Sequence, residues 1–124
     1  MRVLPILAVA LVAAASSAPA PAAEGDPARG EKLYERCMGC HSIERDRVGP
    51  RHRGLIGRRA GGVPGFAYSE AMKRSGIVWD AGTLDRFLGN PRALVPGTRM
   101  GFAGIADASE RADLIAYLKR ATGE

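Results

Sequence analysis

The chain has 124 residues, which suits one domain rather than two, and 16 of them are glycine and 8 proline. That composition orders poorly and leaves a small core that needs a bound cofactor or a covalent link to stabilise it. The formal charge of +5 implies a basic surface, but no stacking platform for bases accompanies it, which argues against a nucleic-acid partner.

Met1-Arg2 gives a short positive start, Val3 to Ala15 is a 13-residue stretch without charge, and Ser16 to Ala23 is small residues and proline. Ala18-Pro19-Ala20 and Ala20-Pro21-Ala22 supply A-x-A sites, so the layout is that of a secretory signal peptide. As a helix the apolar stretch rises only about 20 Å, short of a hydrocarbon core of about 30 Å. Residues 1–23 are therefore expected to be a cleaved leader and 24–124 an exported, periplasmic domain, beginning near Ala23 or Glu24. Without Arg2 the domain keeps 17 basic against 13 acidic residues, net +4.

The first helix signal is Asp26-Pro27, an N-cap followed by proline at the first helical position. Gly30, Leu33, Tyr34 and Cys37 then recur on one helical face, which places Cys37 at the inward-turned end of that helix. Residues 44–65 read as a long loop broken by glycine and proline, unusual in a small domain unless it wraps something. Ser69 is expected to cap a short helix ending at Gly76, and Asp80 a second one carrying Leu84, Phe87 and Leu88, stopped by Asn90-Pro91. Residues 96–102 return to loop. The last helix has the strongest signal: Asp107 and Glu110 form a capping pair, Leu114, Ile115, Tyr117 and Leu118 an apolar stripe, and Lys119-Arg120 a basic end. No alternating strand is apparent, so the fold class is all-α: three main helices, shorter ones, and long loops.

Both cysteines lie in Cys37-Met38-Gly39-Cys40-His41. A disulfide closing so short a loop would constrain the unfolded chain little. The pattern instead matches c-type haem attachment, in which two thiols on one turn reach the two vinyl groups of a porphyrin and the next imidazole meets the iron. A structural zinc site would need more ligands than His52, the only other histidine, provides. A thioredoxin-like pair would need a βαβ context that is missing. An electron carrier also needs a sixth iron ligand, and methionine is the soft choice that raises the potential. Met1 leaves with the leader, Met38 is tethered between the cysteines, and Met72 sits on a short predicted helix. Met100, in a proline-glycine loop 59 residues after His41, is the best placed.

Further motifs follow: Gly49-Pro50, Gly54-Leu55-x-Gly57-Arg58, Pro64-Gly65-Phe66-x-Tyr68, Gly76-Ile77-x-Trp79, Pro96-Gly97-Thr98-Arg99-Met100-x-Phe102 and Leu114-Ile115-Ala116-Tyr117-Leu118. With the haem motif, they make residues 25–124 resemble mitochondrial-type class I cytochrome c and its bacterial relatives, the cytochromes c2. The resemblance implies one covalent haem c held by Cys37 and Cys40, with His41 and Met100 on the iron. It implies that Arg58, Tyr68, Trp79 and Thr98 hold the haem propionates. It also gives Pro50 and Phe102 as haem-packing residues, the Pro50 carbonyl orienting His41, and Gly30 as the point where first and last helices cross.

Two positions depart from the mitochondrial pattern. Phe87 stands where those proteins have tyrosine and Met72 where they have asparagine, so the distal pocket is expected to be more apolar. The segment from His41 to Gly49 is also shorter.

The function implied is electron transfer without catalysis, by a monomeric carrier between membrane complexes such as a bc1-type reductase, an oxidase or a photosynthetic reaction centre. Arg36, Lys73, Arg92 and Arg99 fall where the family rings its haem edge with positive charge, which would steer acidic partners. Ala106 and Asp107 dilute that ring. The alternatives are an enzyme or sensor whose iron keeps an open position because Met100 does not bind it, and a redox-inert structural domain bearing a disulfide.

Overall fold

The structure, a computed structural model, describes Ala10, residues 13–16 and residues 24–123. The leader expected over residues 1–23 otherwise lies outside the described residues. Among the described residues no helix is long and apolar enough to cross a membrane.

The fold is all-α. Helix α1 (Pro27–Tyr34) starts where the Asp26 carboxylate accepts the Ala28 N–H and Pro27 takes the first position. It ends earlier than the apolar spacing predicts. From Glu35 the chain tightens into three-residue bonds, with the Cys37 N–H donating to the Tyr34 carbonyl at 2.8 Å. The His41 N–H then donates to the Cys37 carbonyl, also at 2.8 Å. Cys37 therefore sits on a turn beyond the helix, still half-buried.

Helix α2 (Glu70–Arg74) is capped by Ser69 and α3 (Ala81–Gly89) by Asp80 and Thr83, whose side chains each bond the other's backbone. Asn90-Pro91, expected only to stop a helix, also starts one. The Asn90 side chain accepts the Ala93 N–H and opens α4 (Pro91–Leu94), because a proline that cannot continue one helix is favoured at the first position of the next. Helix α5 (Ala108–Ala121) begins at Asp107, whose carboxylate accepts the Glu110 N–H. Among the described residues the only β pairing is an isolated bridge between Arg59 and Val78.

Helix α5 is the hub, packing against both α1 and α3. Its crossing with α1 depends on Gly30, where a Cβ would collide with the Asp113 carbonyl and with Cβ of Tyr117. Asp113 locks the same crossing. Buried at the contact, its carboxylate accepts the Asp26 N–H at 2.7 Å and Arg29 Nε at 3.1 Å. These bonds, the backbone one foremost, hold its pKa below the usual carboxylate value. Leu114 and Leu118 from α5, Tyr34 from α1, and Leu84, Phe87 and Leu88 from α3 form the core. The loop from 44 to 65 is tied to α5 by the Gly54 N–H donating to the Thr122 carbonyl at 2.8 Å.

Candidate functional site

Between these helices and the long loops lies a cavity of about 520 Å³. Cys37, Cys40, His41, Pro50, Arg58, Tyr68, Trp79, Thr98, Met100 and Phe102 all line it, so every residue expected from the sequence to touch a haem opens onto one space. Phe87 and Met72 line it too, and Phe87 packs against Trp79 with ring centroids 5.0 Å apart.

One wall is built around His41. Its Nδ1 bonds the Pro50 carbonyl at 2.8 Å, which leaves Nε2 as the nitrogen available to an iron. Gly49 lets the loop backbone approach the imidazole, since a Cβ there would strike three of the ring atoms. Burial lowers the His41 pKa and Arg58 adds to this, while the Pro50 bond opposes it. A neutral imidazole is the form that ligates metal. The ring of His52 stacks on His41, with centroids 4.2 Å apart and planes 22° apart. His52 Nδ1 lies 2.9 Å from the Tyr34 hydroxyl. Burial pushes the His52 pKa down to about 3, helped by the like charges of His41 and Arg58. In the shortened segment before Gly49, the Arg47 guanidinium donates to the Met38 carbonyl, capping the cysteine turn.

The two thiols are free. Burial pushes Cys37 up to about 11, with the neighbouring Cys40 adding to it and Arg36 opposing it. A sulfur in such surroundings suits a neutral thioether better than a thiolate bound to metal. Among the described residues no group of three or more His, Cys, Asp or Glu side chains is arranged to hold a metal ion. Among these residues the zinc alternative therefore has no ligand set.

A second wall comes from the loop between α4 and α5. Met100 is half-buried there, its N–H donating to Thr98 Oγ1 at 3.2 Å. Arg99 reaches back to the Ala67 carbonyl at 3.3 Å. The loop returns to α3 through the Ile105 N–H and the Leu88 carbonyl, 2.8 Å apart. At Gly104 φ is +106° and a Cβ would meet the Gly89 carbonyl, so only glycine allows this approach.

Arg58 tests whether the cavity suits a haem. Its two terminal nitrogens donate to the Arg51 and Arg53 carbonyls, each at 3.0 Å. Its Nε is buried with no partner, and burial lowers its pKa. A half-buried cation with an orphaned donor is suited to a carboxylate such as a propionate. Tyr68 spends its hydroxyl as an acceptor for the Val63 N–H at 3.0 Å and keeps its own proton to donate. The apolar walls, the free thiols and the orphaned Arg58 Nε together fit the group.

The family model for cytochrome c matches residues 27–122. The chain belongs to the cytochrome c family. Its relatives include the cytochrome c2 of Rhodomicrobium vannielii, 46% identical over 105 residues that cover 82% of this chain and 84% of that one. The cytochrome c2 of Blastochloris viridis is also 46% identical, over 104 residues covering 82% of each chain. Among solved structures, cytochrome cH from Methylobacterium extorquens superposes with a TM-score of 0.76 at 46% identity, covering 77% of this chain and 99% of that one. As a cytochrome c, the protein is an electron carrier rather than an enzyme, and its cofactor is covalent haem c.

Sequence reasoning missed the support behind His41. Tyr34 counted only as part of an apolar stripe, and His52 only as a spare histidine. The available signal was a histidine two residues after Pro50, in the loop whose carbonyl bonds His41.

Proposed function

We propose that this cytochrome c is a soluble, monomeric carrier of single electrons in the periplasm, with the iron of its haem bound by His41 and Met100. Cys37 and Cys40 form the thioethers, and Arg58, Tyr68, Trp79 and Thr98 hold the propionates. The observation that carries this reading is that His41 and Met100, on segments 59 residues apart, open onto one cavity together with both thiols. When bound, the haem supplies an iron centre that gains and loses one electron. The chain's residues keep that centre fixed: Pro50 holds the His41 tautomer, the Thr98 turn holds the Met100 loop, and the apolar walls exclude water.

The mouth of the cavity supports docking to a membrane redox complex such as a bc1-type reductase, an oxidase or a reaction centre. Cys40, Arg36, Val48 and Arg99 are exposed and line it, with Val48 at 79%. Acidic partners would meet a diluted positive field, because Lys73 pairs with Glu70 at 2.6 Å and Arg36 approaches Glu110 at 3.8 Å. Oxidation or reduction by host membranes should therefore slow as salt rises.

Absorption spectroscopy tests the ligation. The oxidised protein should show the weak near-red charge-transfer band of methionine-bound ferric iron, and the reduced protein should not bind carbon monoxide. Met100→Ala should abolish the band and admit carbon monoxide. A parent protein that lacks the band and binds the gas would instead have an open iron.

A further inference from the structure

Behind the proximal ligand lies a side-chain arrangement that attachment of a haem does not itself require. His52 sits two residues beyond the Pro50 carbonyl that bonds His41, and its ring covers the His41 ring at 4.2 Å. Two stacked rings alone can slide and tilt. His52 is held against both motions by the Tyr34 hydroxyl, 2.9 Å from its Nδ1. Tyr34 is in turn fixed by burial in the core and by Tyr117 of α5, with ring centroids 5.3 Å apart. A continuous path of packed rings thus runs from α5 through α1 to His41.

We infer that His52, anchored by Tyr34, is a positioning residue that sets the angle of the His41 imidazole plane about the axis on which it would meet the iron. The inference rests on the proposed ligation by His41. The Pro50 bond by itself fixes which nitrogen carries the proton and where one ring atom lies. A ring held at one hydrogen bond can still rock about that bond. Gly49 limits how far the ring moves, and the His52 face selects the plane. Burial raises the Tyr34 pKa, so the phenol keeps its proton and remains a hydrogen-bonding anchor. An aliphatic side chain at position 52 would fill the same volume but could not be anchored by a hydrogen bond or present a flat face.

The experiment uses the haem-loaded protein and reads two quantities, the first of which simple packing loss would leave alone. The first is the pattern of paramagnetically shifted haem-methyl proton resonances in the oxidised state, which reports the azimuth of an axial imidazole. The second is the equilibrium with a redox mediator. His52→Leu should redistribute the methyl resonances and shift the equilibrium by about threefold, about 28 mV for a one-electron couple. Tyr34→Phe, which keeps the ring and removes only the hydroxyl, should move both quantities the same way and less. His52→Phe, which restores a flat face, should return most of the methyl pattern. The double variant Tyr34→Phe, His52→Leu should match His52→Leu alone, because both act through one path.

Unchanged methyl resonances and equilibrium in His52→Leu would overturn the inference, as would fully additive effects in the double variant. If His52→Leu fails to accumulate, Tyr34→Phe decides the matter by the same two readouts. A parent protein without the spectrum of His/Met ligation would sink the ligation reading first. A parent that has that spectrum beside an unaltered variant sinks only the role of His52.

Discussion

The two walls of the cavity are built in different ways. His41 is held by a carbonyl, a glycine-permitted backbone contact and a stacked ring, all within a segment that starts at the cysteine turn. Met100 is held by a loop whose nearby bonds are its own N–H to Thr98, the Thr98 N–H to the Val95 carbonyl, and one arginine reaching to Ala67. The proximal side joins the α1–α5 crossing through Tyr34, which touches Tyr117. The distal side joins the fold through α3, at Leu88 and Gly104, and through Arg111 of α5, which donates to the Ile105 and Ala106 carbonyls. With the ligation proposed above, the difference implies a firm imidazole and a yielding thioether, so the distal contact is the one that should fail first under stress.

The strongest way to break that contrast is to damage the frame behind the proximal wall. In Gly30→Val the new side chain collides with the Asp113 carbonyl and Tyr117 Cβ, and α1 must lift from α5. The expected loss is about 3 kcal/mol of stability, or about 12 °C or more in Tm for a domain this size. Thermal unfolding followed by circular dichroism measures it. Below the new Tm the methionine charge-transfer band should persist. Its disappearance in a still-helical protein would mean that frame and distal loop are not separable.

A milder test of the frame uses pH. The Asp113 pKa is depressed in the folded protein, so its charged form contributes stability above the unfolded carboxylate pKa of about 3.9. That contribution is lost as pH falls through the lower, folded value. Asp113→Asn should therefore lower Tm at pH 7, and the gap to the parent should narrow as pH drops below about 4. A gap of constant width down to pH 2 would show that the ion pair with Arg29 and the charge on Asp113 contribute nothing.

The same contrast explains what the sequence made legible. The helices could be read because capping residues and apolar spacing are local: Asp26, Ser69, Asp80 and Asp107 each start the helix they announced. The end of α1 was misplaced because an inward-facing residue at helical spacing looks the same on a tightened turn as on a helix. Helix α4 was missed because Asn90-Pro91 signals a stop and a start equally well. At the site, the cysteine–histidine motif is contiguous and speaks for itself. Among the methionines, Met100 stands out by its proline-glycine loop, and its role as a ligand is what the resemblance implies. The stacking of His52 on His41 was invisible, because it depends on how the loop after Pro50 folds back.

The smallest expected effect sharpens the distal half. Phe87 is buried, lines the cavity and packs on Trp79, and neither it nor Met72 brings a hydroxyl or amide there. Phe87→Tyr adds one hydroxyl to that apolar wall. A hydrogen bond from it to the Met100 sulfur would draw electron density from the thioether and weaken its bond to ferric iron, by about 1 kcal/mol at most. That effect raises the potential. A water molecule recruited by the hydroxyl acts in the opposite sense, because a wetter pocket stabilises the more charged ferric site. Potentiometry together with the alkaline loss of the near-red band separates the two. A higher potential with a band lost at lower pH marks the sulfur bond, and a lower potential with the band unchanged marks hydration. If neither quantity moves, the apolar character of this wall has no bearing on the iron, and the looseness of the distal side resides in the loop alone.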